Sequence, residues 1–234
     1  MHRVRRIVLG ASLCAAMAAV LGVTTVGAET ETCFGQAVTI QGTAGPDVIV
    51  GTPGPDVIDG GPGADNIYGA GGDDIICGGP DDDVLQGGAG TDVIEGGPGE
   101  DVLDGGILGC CAVPENTGDD VLFGGPGDDI VFASDFGNNT LEGGSGDDLV
   151  QGFGGNDTAS GGSGNDTVGG FIGDDVLSGG AGNDTLTGFD GNDQLAGGGQ
   201  DDILDGGSGT DSLAGGGGFD TCVNGESNSS CEAP

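Results

Sequence analysis

Along residues 42–223 the hydrophobic and polar positions recur with a period of nine, neither the two of an ordinary strand nor the 3.6 of a helix. In each unit glycine favours positions one, two and four, aspartate holds position six, and an aliphatic residue holds position eight. The stretch "GGAGTDVIEGGPGEDVLDGG", Gly87 to Gly106, opens the phrase three times, at Gly87, Gly96 and Gly105. Nineteen units fill the span; the one from Gly105 carries ten extra residues and the one from Ala133 carries one. Position eight reads Ile49, Ile58, Ile67, Ile76, Leu85 and Ile94, and so on to Leu213. A flexible glycine linker has no reason to hold an aspartate and an aliphatic residue at fixed offsets, so the pattern predicts a stacked array of turns. Position seven is expected to face outward.

The flanks are different in kind. Residues 1–28 begin "MHRVRR", continue through a mostly apolar run, and end at Val26-Gly27-Ala28. That is the form of a secretory signal peptide cleaved after Ala28, which predicts a secreted, extracellular protein with no membrane span. Residues 29–41 include "CFGQAVTIQ", which fits the nine-residue frame without its aspartate and places Ile40 at the inward position. This segment is expected to cap the first coil, as solenoids require. Residues 224–234 form a closing tail.

Charge narrows the chemistry. The chain holds 39 acidic residues against three arginines, and all three, with the only histidine, lie within residues 1–28. The remainder has no basic side chain, so its counter-charge must come from outside. Nucleic acid is excluded by sign. A Ser-His-Asp triad, an H-E-x-x-H zinc site and a lysine nucleophile are all impossible in residues 29–234, which predicts a protein that is not an enzyme. In an extracellular setting the abundant cationic partner is a metal ion.

The repeated Gly-Gly-x-Gly-x-Asp-x-(Ile/Leu)-x phrase closely resembles the RTX, or hemolysin-type, calcium-binding nonapeptide repeat. The resemblance implies an all-β fold, a calcium-stabilised parallel β-roll with two nonapeptides per coil. It also implies that six glycine-rich residues form each turn and three form each short strand. Multiple Ca2+ ions are the implied cofactor. The metal-binding candidates are the position-six aspartates: Asp47, Asp56, Asp65, Asp74, Asp83, Asp92, Asp101, Asp120, Asp129, Asp148, Asp157, Asp166, Asp175, Asp184, Asp193, Asp202, Asp211 and Asp220. Asn139 takes that position in the irregular unit. With two units per coil, units i and i+2 stack, so Asp83 is expected to face Asp101 across an ion.

The residue types support the metal independently. Calcium takes about six to eight oxygen ligands, mostly carboxylates and carbonyls. Each unit buries one aliphatic side chain, worth about 1.5–3 kcal/mol. Aspartates stacked about 4.8 Å apart repel by about 1 kcal/mol even in water. The expectation is a chain that is expanded without calcium and folds with it.

Six cysteines lie beyond Ala28. In a secreted chain an even number favours disulfides, with Cys222–Cys231 and Cys33–Cys77 the preferred pairs and Cys110-Cys111 bonded to each other or outside the chain. The ten extra residues, within 107–117, read as a loop bulging from one turn. Two functions fit: a secreted calcium-binding structural or surface-associated protein, and a calcium-dependent adhesin or ligand-binding protein for glycan or ice. Apolar position-seven residues in the N-terminal half, from Val48 to Ile130, have two readings: strand propensity, or a patch for self-association or attachment to a cell surface or matrix.

Overall fold

The computed structural model describes residues 32–106, 118–133 and 136–231. The expected signal peptide, the Cys110-Cys111 pair and the 107–117 insertion lie outside them. The described residues form strands and turns without a helix. Successive units alternate between two parallel sheets, one of ten strands and one of eleven, wound as a β-solenoid of about ten turns.

Each coil therefore uses two nonapeptides, and residues 18 apart pair in register. Ile67 lies against Leu85, and Leu186 against Leu204. The irregular units leave this alignment intact: Leu103 pairs with Val131 across the ten-residue excess, and Val131 pairs with Val150 across the single extra residue. The position-eight side chains from both sheets point into the roll and meet as one buried core, Ile58, Ile76, Leu122 and Leu204 among them with no exposure. The glycine-rich corners leave no room for a second apolar layer.

The expected division into six-residue turns and three-residue strands is corrected. Many strands run six residues, such as Thr158–Ser163 and Val176–Ala181. They continue through positions one to three of the next unit, where Gly162 pairs with Gly180 and Ser163 with Ala181. The ladder continues around the corner with phenylalanine as well as glycine at position two, as Phe153 against Phe171 shows. Strands stop at three residues where proline follows at position three, as in Val57–Asp59, Ile75–Cys77 and Val93–Glu95, because proline has no N–H for the next rung. Val121–Pro126 is the exception.

The glycines divide their work. Those at position two and most at position four have positive φ, 114° at Gly180 and 140° at Gly182, a backbone open to glycine at little cost. Those at position one do not. They are required by crowding, since a Cβ at Gly60 would stand 2.6 Å from the Gly78 carbonyl oxygen.

Both ends are fastened. Ile40–Gln41 pairs with the strand Val57–Asp59 and continues the core. The preceding residues turn back as an antiparallel hairpin, Thr32–Cys33 with Gln36–Ala37, through Phe34 and Gly35 at positive φ. The hairpin lies on the outside of the eleven-stranded sheet, joined by the Cys33–Cys77 disulfide and by Phe34, whose ring is 6.1 Å from that of Phe123. At the other end Cys222 fills an inward slot and bonds to Cys231, while Ser227–Ser229 adds a last strand. Both sequence-favoured cystine pairs are thus present. Loops of this size confer about 4 and about 3 kcal/mol through chain entropy.

The division of labour among glycines is testable in folded protein. In Gly180→Ala the methyl would overlap the Gly162 carbonyl on a backbone of positive φ. It should cost more than about 1 kcal/mol. Gly199→Ala, where a Cβ meets nothing within 4 Å, should stay within about 0.5 kcal/mol of the parent. Thermal melts of the two variants in the same buffer give the comparison, and equal midpoints would contradict it.

Candidate metal centres

The turns place the position-six aspartates in two files, one along each edge of the roll. Beside the ten-stranded sheet run Asp47, Asp65, Asp83, Asp101, Asp129, Asp148, Asp166, Asp184, Asp202 and Asp220. Beside the eleven-stranded sheet run Asp56, Asp74, Asp92 and Asp120, then Asn139, then Asp157, Asp175, Asp193 and Asp211. From Asp65 onward all of the aspartates are buried.

Each file is tied together by one repeated hydrogen bond. The backbone N–H of one aspartate donates to Oδ1 of the aspartate in the next coil, at 2.8 Å for Asp65 to Asp83 and again for Asp83 to Asp101. Asp83 and Asp101 are therefore stacked as expected, but the link runs from carboxylate to amide, and the two carboxylates do not face one another directly. The parallel twist offers each side chain an amide donor first, and this holds one of its oxygens.

The second oxygen is left over. Oδ2 is buried without a hydrogen-bond partner in fifteen of these aspartates, Asp65, Asp74 and Asp175 among them. It points at the position-one glycine of its own turn: the point where a Gly60 Cβ would sit is 2.6 Å from Asp65 Oδ2 and 2.6 Å from the Gly78 carbonyl oxygen. A charged buried oxygen with no partner is costly, and no lysine or arginine exists among the described residues to offset it. Asp47 and Asp56, in the first coil, differ. The Thr43 N–H (2.6 Å) and hydroxyl (2.9 Å) donate to Asp47 Oδ2, and the Thr52 N–H (2.6 Å) to Asp56 Oδ2. Threonine in place of glycine at position two caps the first rung of each file. Glu226 caps the other end of the second file, accepting the Asp211 N–H at 2.5 Å.

Burial is the leading cause of a raised pKa along both files. It holds Asp65, Asp83, Asp92, Asp148, Asp166 and Asp193 at about 6, and Asp74, Asp101 and Asp157 at about 7. The amide bond to Oδ1 pulls the other way, and neighbouring carboxylates add to the rise at most rungs.

These donors fit a hard cation. Among the described residues no three carboxylates, thiols or imidazoles converge, so an ion here must take carbonyl oxygens beside its carboxylates. Carboxylate and carbonyl oxygens suit calcium or magnesium and not the softer transition metals. Inner and outer positions are easily confused in sequence, and a second file escaped the sequence reading. Exposed Asp and Asn side chains at position five form an outer ladder of opposite sense. Asp147 Oδ1 accepts the N–H of Asn165, whose own Oδ1 accepts that of Asn183. The Asn or Asp that precedes most of the inner aspartates was the available signal. Phe153, Phe171 and Phe189 were also missed. They hold position two at positive φ and stack on the outer face, with ring centroids 5.0 and 4.5 Å apart.

A sequence model described as the RTX calcium-binding nonapeptide repeat matches residues 41–76, 78–107, 116–136, 134–168, 169–204 and 187–222. No curated protein matches the chain.

The raised values set a sign for pH. A buried carboxylate whose folded pKa lies near 6–7, above its ordinary 3.8, binds protons in the folded chain that the unfolded chain releases. Metal-free stability therefore rises as pH falls through about 7, and the gain is complete below 3.8. In excess chelator, far-UV circular dichroism should show more β-structure at pH 5 than at pH 8. The opposite order would mean that the files are not buried in the metal-free chain.

Proposed function

The chain belongs to the RTX calcium-binding nonapeptide repeat family, and we propose that it is a secreted protein that folds on meeting calcium and serves as a structural or surface-associated β-roll. The observation that carries this reading is the row of buried, unpartnered Oδ2 atoms, each beside a position-one glycine and most of them also beside a carbonyl oxygen of the next coil. Bound calcium would supply the positive charge that residues 29–234 lack. The aspartate Oδ1 atoms hold the amides of the preceding coil, the Oδ2 atoms and glycine carbonyls supply ligands, and the position-one glycines keep the space open. Without a cation, the same carboxylates repel along each file and the thin core cannot hold them.

The two cystines support an extracellular setting, as does the family. There an affinity of about 10⁻⁴–10⁻³ M is enough. The absence of His, Lys and Arg from residues 29–234 supports a role without catalysis. Among the described residues no helix is long and apolar enough to cross a membrane. Self-association or surface contact in the N-terminal half would use the outward position-seven row, where Val48 and Val84 are exposed; Ile203 extends that row into the second half.

One observation favours the adhesin reading. The phenylalanine column ends at Phe189, since its register partner in the next coil is Gly207. The uncovered ring borders a cleft of about 320 Å³ with Thr187, Asp190, Asp205 and Ser208 on its walls. An aromatic face with hydroxyl and carboxylate groups around it suits the flat face of a sugar ring.

Calcium titration of residues 29–234, followed by far-UV circular dichroism with magnesium as control, should give a cooperative gain of β-structure with calcium. An unchanged spectrum would remove calcium-driven folding. For the adhesin reading, binding to a glycan array in calcium should be lost in Phe189→Ala while the calcium-induced spectrum is kept. Retained binding would remove that cleft from consideration.

A further inference from the structure

One rung breaks the pattern of both files, and it does so through its own chemistry. Asn139 occupies an aspartate slot beside the eleven-stranded sheet, with 3 % exposure. Its Oδ1 accepts the Asp120 N–H at 2.9 Å, as an aspartate Oδ1 does elsewhere in the file. Its Nδ2 stands where the other rungs have Oδ2, and donates to the Gly137 carbonyl at 3.1 Å and to Asp157 Oδ1 at 3.1 Å. An amide N–H pointing into that space offers hydrogens where a cation needs lone pairs. It also engages the Gly137 carbonyl and adds a second hydrogen bond to Asp157 Oδ1, the oxygen that already accepts the Asn139 N–H at 2.7 Å.

The surroundings agree. Both irregular units, with ten extra residues before Asp120 and one before Asn139, lead into neighbouring strands of this same sheet, Val121–Pro126 and Thr140–Ser145. The other edge runs through the same coils, from Asp101 to Asp129 to Asp148, with an aspartate at every rung and an unpartnered Oδ2 on all three.

We propose that Asn139 is a metal-free rung whose side-chain amide takes the place of a cation, dividing the file beside the eleven-stranded sheet into two separate calcium columns. One holds Asp56, Asp74, Asp92 and Asp120, and the other holds Asp157, Asp175, Asp193 and Asp211. The file beside the ten-stranded sheet stays continuous. This inference rests on the reading of the aspartate files as calcium sites.

Bound calcium per chain, counted by equilibrium dialysis and elemental analysis at saturating calcium, tests it. Asn139→Asp should bind at least one ion more than the parent, with the same circular dichroism in calcium. An unchanged count in that folded variant would overturn the proposal. Asn139→Ala gives a second reading that needs no added charge. The parent's count should persist in it with a lower thermal midpoint, whereas a loss of one ion would show that Asn139 is itself a ligand and overturn the proposal. A parent that binds no calcium at all would be a different failure, of the calcium reading itself.

Discussion

The structure depends on a repulsion that the chain cannot relieve by itself. Nearly twenty carboxylates are stacked in two files at the spacing of adjacent coils, most of them buried and with no basic side chain among the described residues to answer them. The glycine corners, the thin core and the amide-to-Oδ1 ladder all follow from holding those groups in line. From Asp65 onward one oxygen of most of these carboxylates is used internally, to fix the stagger of one coil on the next, and in fifteen of them the other has no hydrogen-bond partner.

Much of this was legible from residue order. The nine-residue frame gave the inward aliphatic file, the aspartate files, the pairing of units two apart and both cystines, because each is fixed by a side chain at one offset. The length of the strands was not read correctly, although its cause was present: position-three proline cuts the ladder after Asp59, Cys77 and Glu95, and residues such as Gly71, Ala89, Ser163, Ile172 and Asp190 at that position let it continue. The direction of the aspartate link was not legible. Residue identity cannot distinguish a carboxylate that meets its neighbour's carboxylate from one that meets its neighbour's amide, and the twist of the coil decides between them. The outer Asn/Asp ladder and the stacked phenylalanines escaped for a related reason: side chains 18 residues apart become neighbours only once the coil length is known.

The irregular units show what the fold defends. Ten extra residues and one extra residue leave the core pairing in register, as Ile94 against Leu122 and Leu122 against Leu141 demonstrate. The strands on either side keep their partners, so no rung of the described ladder is misaligned. The Asn139 rung exchanges a carboxylate for an amide, which lowers the negative charge of its file by one.

The two cystines have a mechanical meaning beyond their contribution to stability. A stack in which each coil touches only its neighbours ordinarily loosens by fraying, since an end coil has half the contacts of an interior one. Cys33–Cys77 staples the first coils to one another and Cys222–Cys231 ties down the last. With both ends sewn, fraying from an end coil is blocked, and the roll can open only by parting coils in its interior. A protease or a pulling force would therefore find no loose thread at either end of the stack.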